Sequence, residues 1–248
     1  MSISDLHLFS AGSENDGAYQ NLWIKGASLF IPQINRLIDH TPYNFTILDI
    51  QDFQNDCETL GNALQKNGSD KSAHHNYHIL YSHILNILGT NHPLQLLEIG
   101  LGTNNPTLIS TMGSNARPGA SLYGFRDYLP NANIYGADID RAILFESDRI
   151  KTSFVDQLDM NTFDELSQNF GNIKYDLIID DGLHSIGANF NTLLFGLNQL
   201  NDHGWIVIED IHIVDNWKSI DFILSSTNQY KTYIIKARNS YMYAVNKL

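Results

Sequence analysis

Cysteine, positive charge and long apolar runs are all scarce in this chain. One cysteine, Cys57, in 248 residues excludes an intramolecular disulfide framework and fits a reducing compartment. Only 15 lysines and arginines stand against 27 aspartates and glutamates, a formal charge of −12. That balance argues against a broad face for nucleic acid or anionic lipid, so neither nucleic acid nor a membrane is expected as a partner. No apolar run approaches the roughly 18–20 residues that cross a bilayer. Met1 to Asp16 has no basic stretch followed by an apolar core; no secretory signal is expected, and the expected compartment is the cytoplasm. There is also no internal repeat and no low-complexity run.

What remains is enough: a chain of this length, 43% hydrophobic, can bury the core of one large α/β domain. The pattern changes near residue 90. Before it, Ala27 to His40 has helical spacing offset by Pro32, Asn44 to Ile50 suits a short strand, and Ser72 to Leu88 reads as a helix. After it, apolar strands at Gln95–Ile99, Ile134–Asp138, Thr152–Asp156, Tyr175–Asp180 and Trp205–Glu209 alternate with helical stretches at Ser121–Leu129, Arg141–Asp148, Asn161–Phe170, Ile186–Leu200 and Trp217–Ser225. This alternation predicts a doubly wound, mostly parallel sheet with helices on both faces. Two alternating strands, Lys231–Lys236 and Ser240–Asn246, predict an antiparallel hairpin that closes it. The expected division is a mostly helical N-terminal extension, residues 1–68, serving as a lid or an oligomer contact, followed by the main domain, residues 69–248. A homo-oligomer is one expectation that follows.

Ligands bind beyond the carboxyl ends of such strands, and those ends are polar. The first carries Glu98, Gly100 and Gly102; two glycines two apart allow a tight turn and a close approach to backbone. A dinucleotide fingerprint needs a third glycine and an immediate helix. Here Asn105 and Pro106 intervene, then a long loop from Thr107 to Gly119, which counts against a nicotinamide oxidoreductase. The second strand ends in Asp138 and Asp140. An acid at this point can accept both hydroxyls of a ribose; Asp140 is better placed to cap the next segment, leaving Asp138 for the sugar. Asp156 and Gln157 at the third end suit an adenine edge, or a turn.

Glu98-x-Gly100-x-Gly102, followed by Asp138, Asp156 and Asp180 at successive strand ends, resembles the class I S-adenosylmethionine-dependent methyltransferases. Gly119-Ala120-Ser121-Leu122, Arg126 to Ala132, Ile134-Tyr135-Gly136, Val155-Asp156-Gln157 and Asp180-Asp181-Gly182-Leu183-His184 narrow the likeness to the mycinamicin-type macrolide sugar O-methyltransferases. Gly68-Ser69-Asp70-Lys71, then His75 and Tyr81, is similar to the segment leading into that domain. Leu183, where relatives often have serine, and Tyr123-Gly124, which weakens the expected helix, depart from the pattern.

The resemblance implies a seven-stranded Rossmann-like sheet of order 3-2-1-4-5-7-6, in which the fourth and fifth strands are neighbours. Asp180 and Asp181 then end one strand and Glu209 and Asp210 the next. Four carboxylates so placed repel unless protonated, separated by water or neutralised by a cation. Oxygen-rich ligation favours Mg²⁺ or Mn²⁺ over zinc. The expected metal ligands are Asp181, Glu209 and Asp210, with His184 as the base and Asp181 beside it in the catalytic group. Glu98, Gly100, Gly102, Asp138, Asp156, Gln157 and Asp180 form the expected cofactor site. The implied activity is methyl transfer from S-adenosylmethionine to a hydroxyl of a sugar or glycosylated small metabolite. A metal-dependent catechol or phenol methyltransferase and a non-catalytic nucleoside-binding protein of the same fold stay open beside it.

Overall fold

The computed structural model describes residues 30–53, 56–114 and 116–248; the first part of the expected N-terminal extension, residues 1–29, and residues 27–29 of its first expected helix lie outside the described residues. The strands are β1 (Ile47–Asp49), β2 (Gln95–Ile99), β3 (Asn133–Asp138), β4 (Glu146–Ser147), β5 (Ile150–Phe154), β6 (Tyr175–Asp180), β7 (Leu200–Ile211), β8 (Tyr230–Lys236) and β9 (Tyr241–Lys247). They form one sheet of order β1-β8-β9-β7-β6-β2-β3-β5-β4. Helices are α1 (residues 30–38), α2 (Glu58–Asn67), α3 (Asp70–Ala73), α4 (His78–Leu88), α5 (Ala120–Tyr128), α6 (Met160–Asn169), α7 (Ile186–Gln199) and α8 (Lys218–Ser225).

Seven of these strands, from β5 through β3, β2, β6, β7 and β9 to β8, reproduce the expected order, with β9 antiparallel to both its neighbours. The expected number needs correction: the sheet has nine strands. β1 pairs in parallel with the edge strand β8, and the two-residue β4 pairs antiparallel with β5. Each covers an edge whose backbone groups would otherwise face water.

The pleat sorts side chains onto two apolar layers. Leu96, Leu177, Ile179 and Val207 pack with α2, α4 and α5, whereas Leu97, Ile178, Ile206 and Ile208 pack with α6, α7 and α8. Period-two alternation therefore sends Glu98 and Glu209 to the α4 side and Asp180 to the α7 side. In β7 the alternation then breaks. Ile208 and Ile211 pair with Tyr243 and Tyr241, so three steps on β7 oppose two on β9. This bulge, with Asp210 at φ 53°, re-aims a side chain at the strand end.

Three local expectations are corrected. Arg141 to Asp148 is not a helix: a short 3-10 turn, Arg141–Ile143, gives way to β4. The third parallel strand runs Ile150–Phe154, two residues earlier than Thr152–Asp156. Ser72 to Leu88 is broken into α3 and α4 at Asn76, φ 60°, because Asn76 Oδ1 accepts the Arg238 N–H from the β8–β9 turn at 3.0 Å.

Tyr123-Gly124 does not disrupt α5. A Cβ on Gly124 would stand 2.9 Å from Leu64 Cα and 2.7 Å from Leu64 Cδ2, so the missing side chain is what lets α2 lie against α5. Alanine at Gly124 would gain roughly 1 kcal/mol of helix propensity but must push α2 away. We expect Gly124→Ala to lower the stability to urea by roughly 1–3 kcal/mol; a more stable variant would show that α2 is free to shift.

Candidate functional site

A cavity of about 310 Å³ opens at the carboxyl ends of β2, β3, β6 and β7, lined by Gly100, Gly102, Asp138, Asp156, His184 and Asp210 among others. Its floor is the glycine turn after β2. Gly100 has φ 94°, and a Cβ there would lie 2.0 Å from the Asp181 carbonyl oxygen. Only glycine fits, because the Asp181 N–H donates back to Ile99 O at 2.8 Å and brings the two strand ends together. Gly102, φ 77°, leaves room for the Met112 sulfur.

Asp138 is buried and ties β3 to that turn: Leu101 N–H and Asp140 N–H donate to its two oxygens at 2.7 and 2.8 Å. Burial holds its pKa above the usual carboxylate range, against the pull of these bonds. Asp140 caps the 3-10 turn by accepting the Ala142 N–H, the cap expected of it from sequence. Asp156, half-buried, accepts the Leu158 N–H at 2.9 Å.

Three expected cofactor residues spend polar atoms on partners within the protein. Gln157 reaches the cavity wall, but its amide donates to Asp180 and Thr192, both at 2.8 Å, and its carbonyl accepts the Leu183 N–H. Asp180, fully buried on the α7 side, also accepts from Asn189 at 3.1 Å. Together they bracket the turn 181–184. Glu98 lies under the glycine turn, accepting from Ser121 at 2.6 Å, and does not line the cavity.

The cation that the strand-end acids require comes from the chain itself. Lys71 is 1% exposed, and its Nζ stands 2.5 Å from Asp181 Oδ2, 2.7 Å from Glu209 Oε2 and 3.1 Å from Glu98 Oε1. Against burial, which would lower it, Asp181, Glu209 and Glu98 hold the ammonium well above its usual pKa. Burial pushes Glu98 and Glu209 above the carboxylate range, with Lys71 opposing. Tyr81 donates to the other oxygen of Glu209.

Glu209 is therefore engaged from both sides and is not brought to the cavity with Asp181 and Asp210. His184 is. Asp181, His184 and Asp210 each offer a ligand atom within 4.8 Å of the others; His184 Nε2 lies 3.7 Å from Asp181 Oδ1 and 3.9 Å from Asp210 Oδ2. Both His184 and Asp210 sit at positive φ, 52° and 53°, a conformation that non-glycine residues adopt at a cost. His184 Nδ1 is buried without a hydrogen-bond partner. Tyr77 donates to Asp210 Oδ1 at 2.5 Å. Although burial raises it, this bond and the nearby His184 and His75 hold the Asp210 carboxyl below the usual range. Asp181 Oδ1 and Asp210 Oδ2 are two hard oxygen donors at one cavity wall, suited to a divalent ion, with the imidazole nitrogen beside them.

The sequence reading missed Lys71, Tyr77 and Tyr81 as partners of the acids. The signal was present: four acids at adjoining strand ends demand a cation, and Lys71 stands in the Gly68-Ser69-Asp70-Lys71 segment.

No family model matches the chain. Curated relatives do. The 8-demethyl-8-(2-methoxy-alpha-L-rhamnosyl)-tetracenomycin-C 3'-O-methyltransferase of Streptomyces olivaceus is 29% identical over 154 residues, which cover 61% of this chain and 36% of that protein. The mycinamicin VI 2''-O-methyltransferase of Micromonospora griseorubida is 32% identical over 123 residues, 49% of this chain and 28% of that protein. The chain thus spans about a third of the length of the curated relatives it matches. Among solved structures, the MycE methyltransferase from the mycinamycin biosynthetic pathway in complex with Mg and SAH superposes with a TM-score of 0.60 at 22% identity, over 76% of this chain and 54% of that one. Its complex with Mg, SAH and mycinamycin VI gives 0.61 at 19% identity, over 76% of this chain and 53% of that one. The fold is that of the class I methyltransferases.

Lys71→Met leaves Glu98 and Glu209 buried without their counter-charge. We expect a loss of roughly 3–5 kcal/mol at neutral pH. Both carboxyls titrate above the ordinary range in the fold. Their contribution is therefore complete below that range and is lost as pH rises through the raised values, and removing Lys71 raises them further. Urea unfolding should accordingly show the deficit shrinking as the pH falls toward the ordinary carboxylate range; a deficit independent of pH would mean that lost packing, not charge, is responsible.

Proposed function

We propose that the chain is an S-adenosylmethionine-dependent O-methyltransferase acting on a hydroxyl of a sugar or glycosylated small metabolite, with a divalent ion at its acceptor end. The observation that carries this reading is the placement of Asp181, His184 and Asp210 in the same cavity as the Gly100–Gly102 turn and Asp138. A cofactor site and a base thus meet across one space. The similarity to sugar O-methyltransferases supports the acceptor class.

S-Adenosylmethionine, when bound, supplies an electrophilic methyl on a sulfonium. The glycine turn would let its methionine part lie against backbone, with no Cβ in the way. Asp138 would take the ribose: each of its oxygens already accepts one N–H and retains a lone pair for a hydroxyl. Asp156, whose carboxylate lines the cavity, is the remaining candidate for the adenine edge, with Gln157 shaping the wall.

The protein's task is then alignment and proton removal. The acceptor oxygen must lie in line behind the methyl, and its proton must leave as the new C–O bond forms. His184 Nε2, at the same cavity wall, would take that proton. A divalent ion, Mg²⁺ or Mn²⁺, would be held by Asp181 and Asp210 and would make a nearby hydroxyl more acidic.

S-Adenosylhomocysteine should bind and raise the melting temperature, adding about 2.7 kcal/mol at a hundred times its Kd. Asp138→Ala should weaken its binding by roughly 1–3 kcal/mol. Calorimetry with no heat at millimolar ligand would remove the methyltransferase reading altogether.

His184→Ala should lower turnover on an accepted glycoside by roughly a hundredfold or more while leaving S-adenosylhomocysteine affinity nearly unchanged. Wild-type turnover in that variant would sink the base, and full activity in EDTA would sink the metal. Faster methylation of catechols than of glycosides across a common panel would move the acceptor class.

A further inference from the structure

The α3–α4 elbow does more than lead into the main sheet. From it, two buried groups reach the pair of cavity carboxylates, and each takes one oxygen. Lys71 Nζ holds Asp181 Oδ2 at 2.5 Å; Tyr77 Oη holds Asp210 Oδ1 at 2.5 Å. The oxygens left over, Asp181 Oδ1 and Asp210 Oδ2, are the two that face His184 Nε2 at 3.7 and 3.9 Å. A carboxylate free to rotate presents either oxygen; a carboxylate with one oxygen fixed presents the other in a defined direction.

Tyr77 is built for this task. It is fully buried, and its hydroxyl lies between Asp210 and Ser240, accepting from Ser240 while it donates to Asp210. Its ring stacks on His75 at 4.8 Å and 25°. The elbow that carries it is pinned to the β8–β9 turn: Arg238 Nη1 donates to Ala73 O at 2.5 Å and Asn239 Nδ2 to His74 O at 3.0 Å. Asp210, in turn, stands on the bulge of β7 at φ 53°, where the backbone alone gives its side chain no ladder neighbour to lean on.

We propose that Tyr77 is a positioning residue: by occupying Asp210 Oδ1 it leaves Oδ2 aimed beside Asp181 Oδ1 as the oxygen pair that receives the divalent ion. This rests on the metal reading above and adds the group that orients its ligand. Partners behind a metal ligand typically govern affinity by roughly 10–100-fold.

The test is Mn²⁺ alone, titrated into the whole protein and followed by the loss of the free-ion electron paramagnetic resonance signal. Tyr77→Phe keeps the ring and removes the hydroxyl. Tyr243→Phe is the matched control, since it deletes an equally buried phenol whose ring packs on Trp217, away from the cavity. Expected is a rise in the Mn²⁺ Kd of roughly 10–100-fold for Tyr77→Phe, with S-adenosylhomocysteine affinity unchanged and with wild-type Mn²⁺ affinity in Tyr243→Phe. Mn²⁺ affinity in Tyr77→Phe within twofold of wild type overturns the positioning role while leaving the metal reading intact. An equal loss in both variants also overturns it, since general loosening would then suffice. Absence of Mn²⁺ binding by the wild-type protein overturns the metal reading, and the positioning role with it.

Discussion

One buried ammonium organises the carboxyl ends of the central strands. Lys71 lies within 3.1 Å of carboxylates from three strand ends, Glu98 in β2, Asp181 after β6 and Glu209 in β7. Without a cation these ends could not be drawn together, since two of the acids are essentially inaccessible to water and ionised carboxylates repel at short range. With one cation against three acids, the cluster still carries excess negative charge if all are ionised. The upward displacement of Glu98 and Glu209 by burial is how the fold limits that excess. Tyr81 adds a neutral donor to the Glu209 oxygen that Lys71 does not hold.

The rest of the site follows from where Lys71 must stand. It sits on α3, and Ser69 caps that short helix by accepting the Lys71 N–H. A continuous helix through residue 88 would carry Tyr77 away on its own phase. The break at Asn76 instead resets the chain, so that Lys71 and Tyr77 reach two different carboxylates. The hairpin turn at Arg238 and Asn239 that locks this break comes from the far end of the sequence. The closing antiparallel strands thereby do more than finish the sheet; they hold the elbow that holds the acids.

The strands were legible because buried parallel strands announce themselves; their order came from the family resemblance. Gln95–Ile99 and Tyr175–Asp180 are apolar runs bounded by polar ends, and their limits in the fold are those read from sequence. The edge strands were harder. β4 is two residues long, and both are exposed, so no apolar pattern marks it, and Arg141 to Asp148 mimics helical spacing instead. The acids themselves were legible as a group but not as individuals. Which of them turn to the cavity depends on pleat and bulge: β6 sends Asp180 toward Asn189 and Thr192, and β7 sends Glu209 toward Lys71. Gln157 looked free at a strand end, yet its amide is spent on Asp180, Thr192 and Leu183. Partner identity of this kind is a matter of tertiary distance, and sequence spacing carries no record of it.

The division of labour among the acids also explains why strain gathers where it does. Glu98, Asp180 and Glu209 are satisfied, buried and regular, and they give the strand ends their rigidity. His184 and Asp210 are the two non-glycine residues at positive φ that line the cavity, among the described residues. Residues held in costly conformations persist only where the surroundings over-determine them. Here the bracket of Gln157 and Asp180 fixes the turn that ends in His184, and the Tyr77–Ser240 pair fixes Asp210. Buried and cavity-lining positions thus fall to different carboxylates within a few residues of one another. The buried ones make the frame, and the frame holds two strained groups side by side at one wall of the cavity.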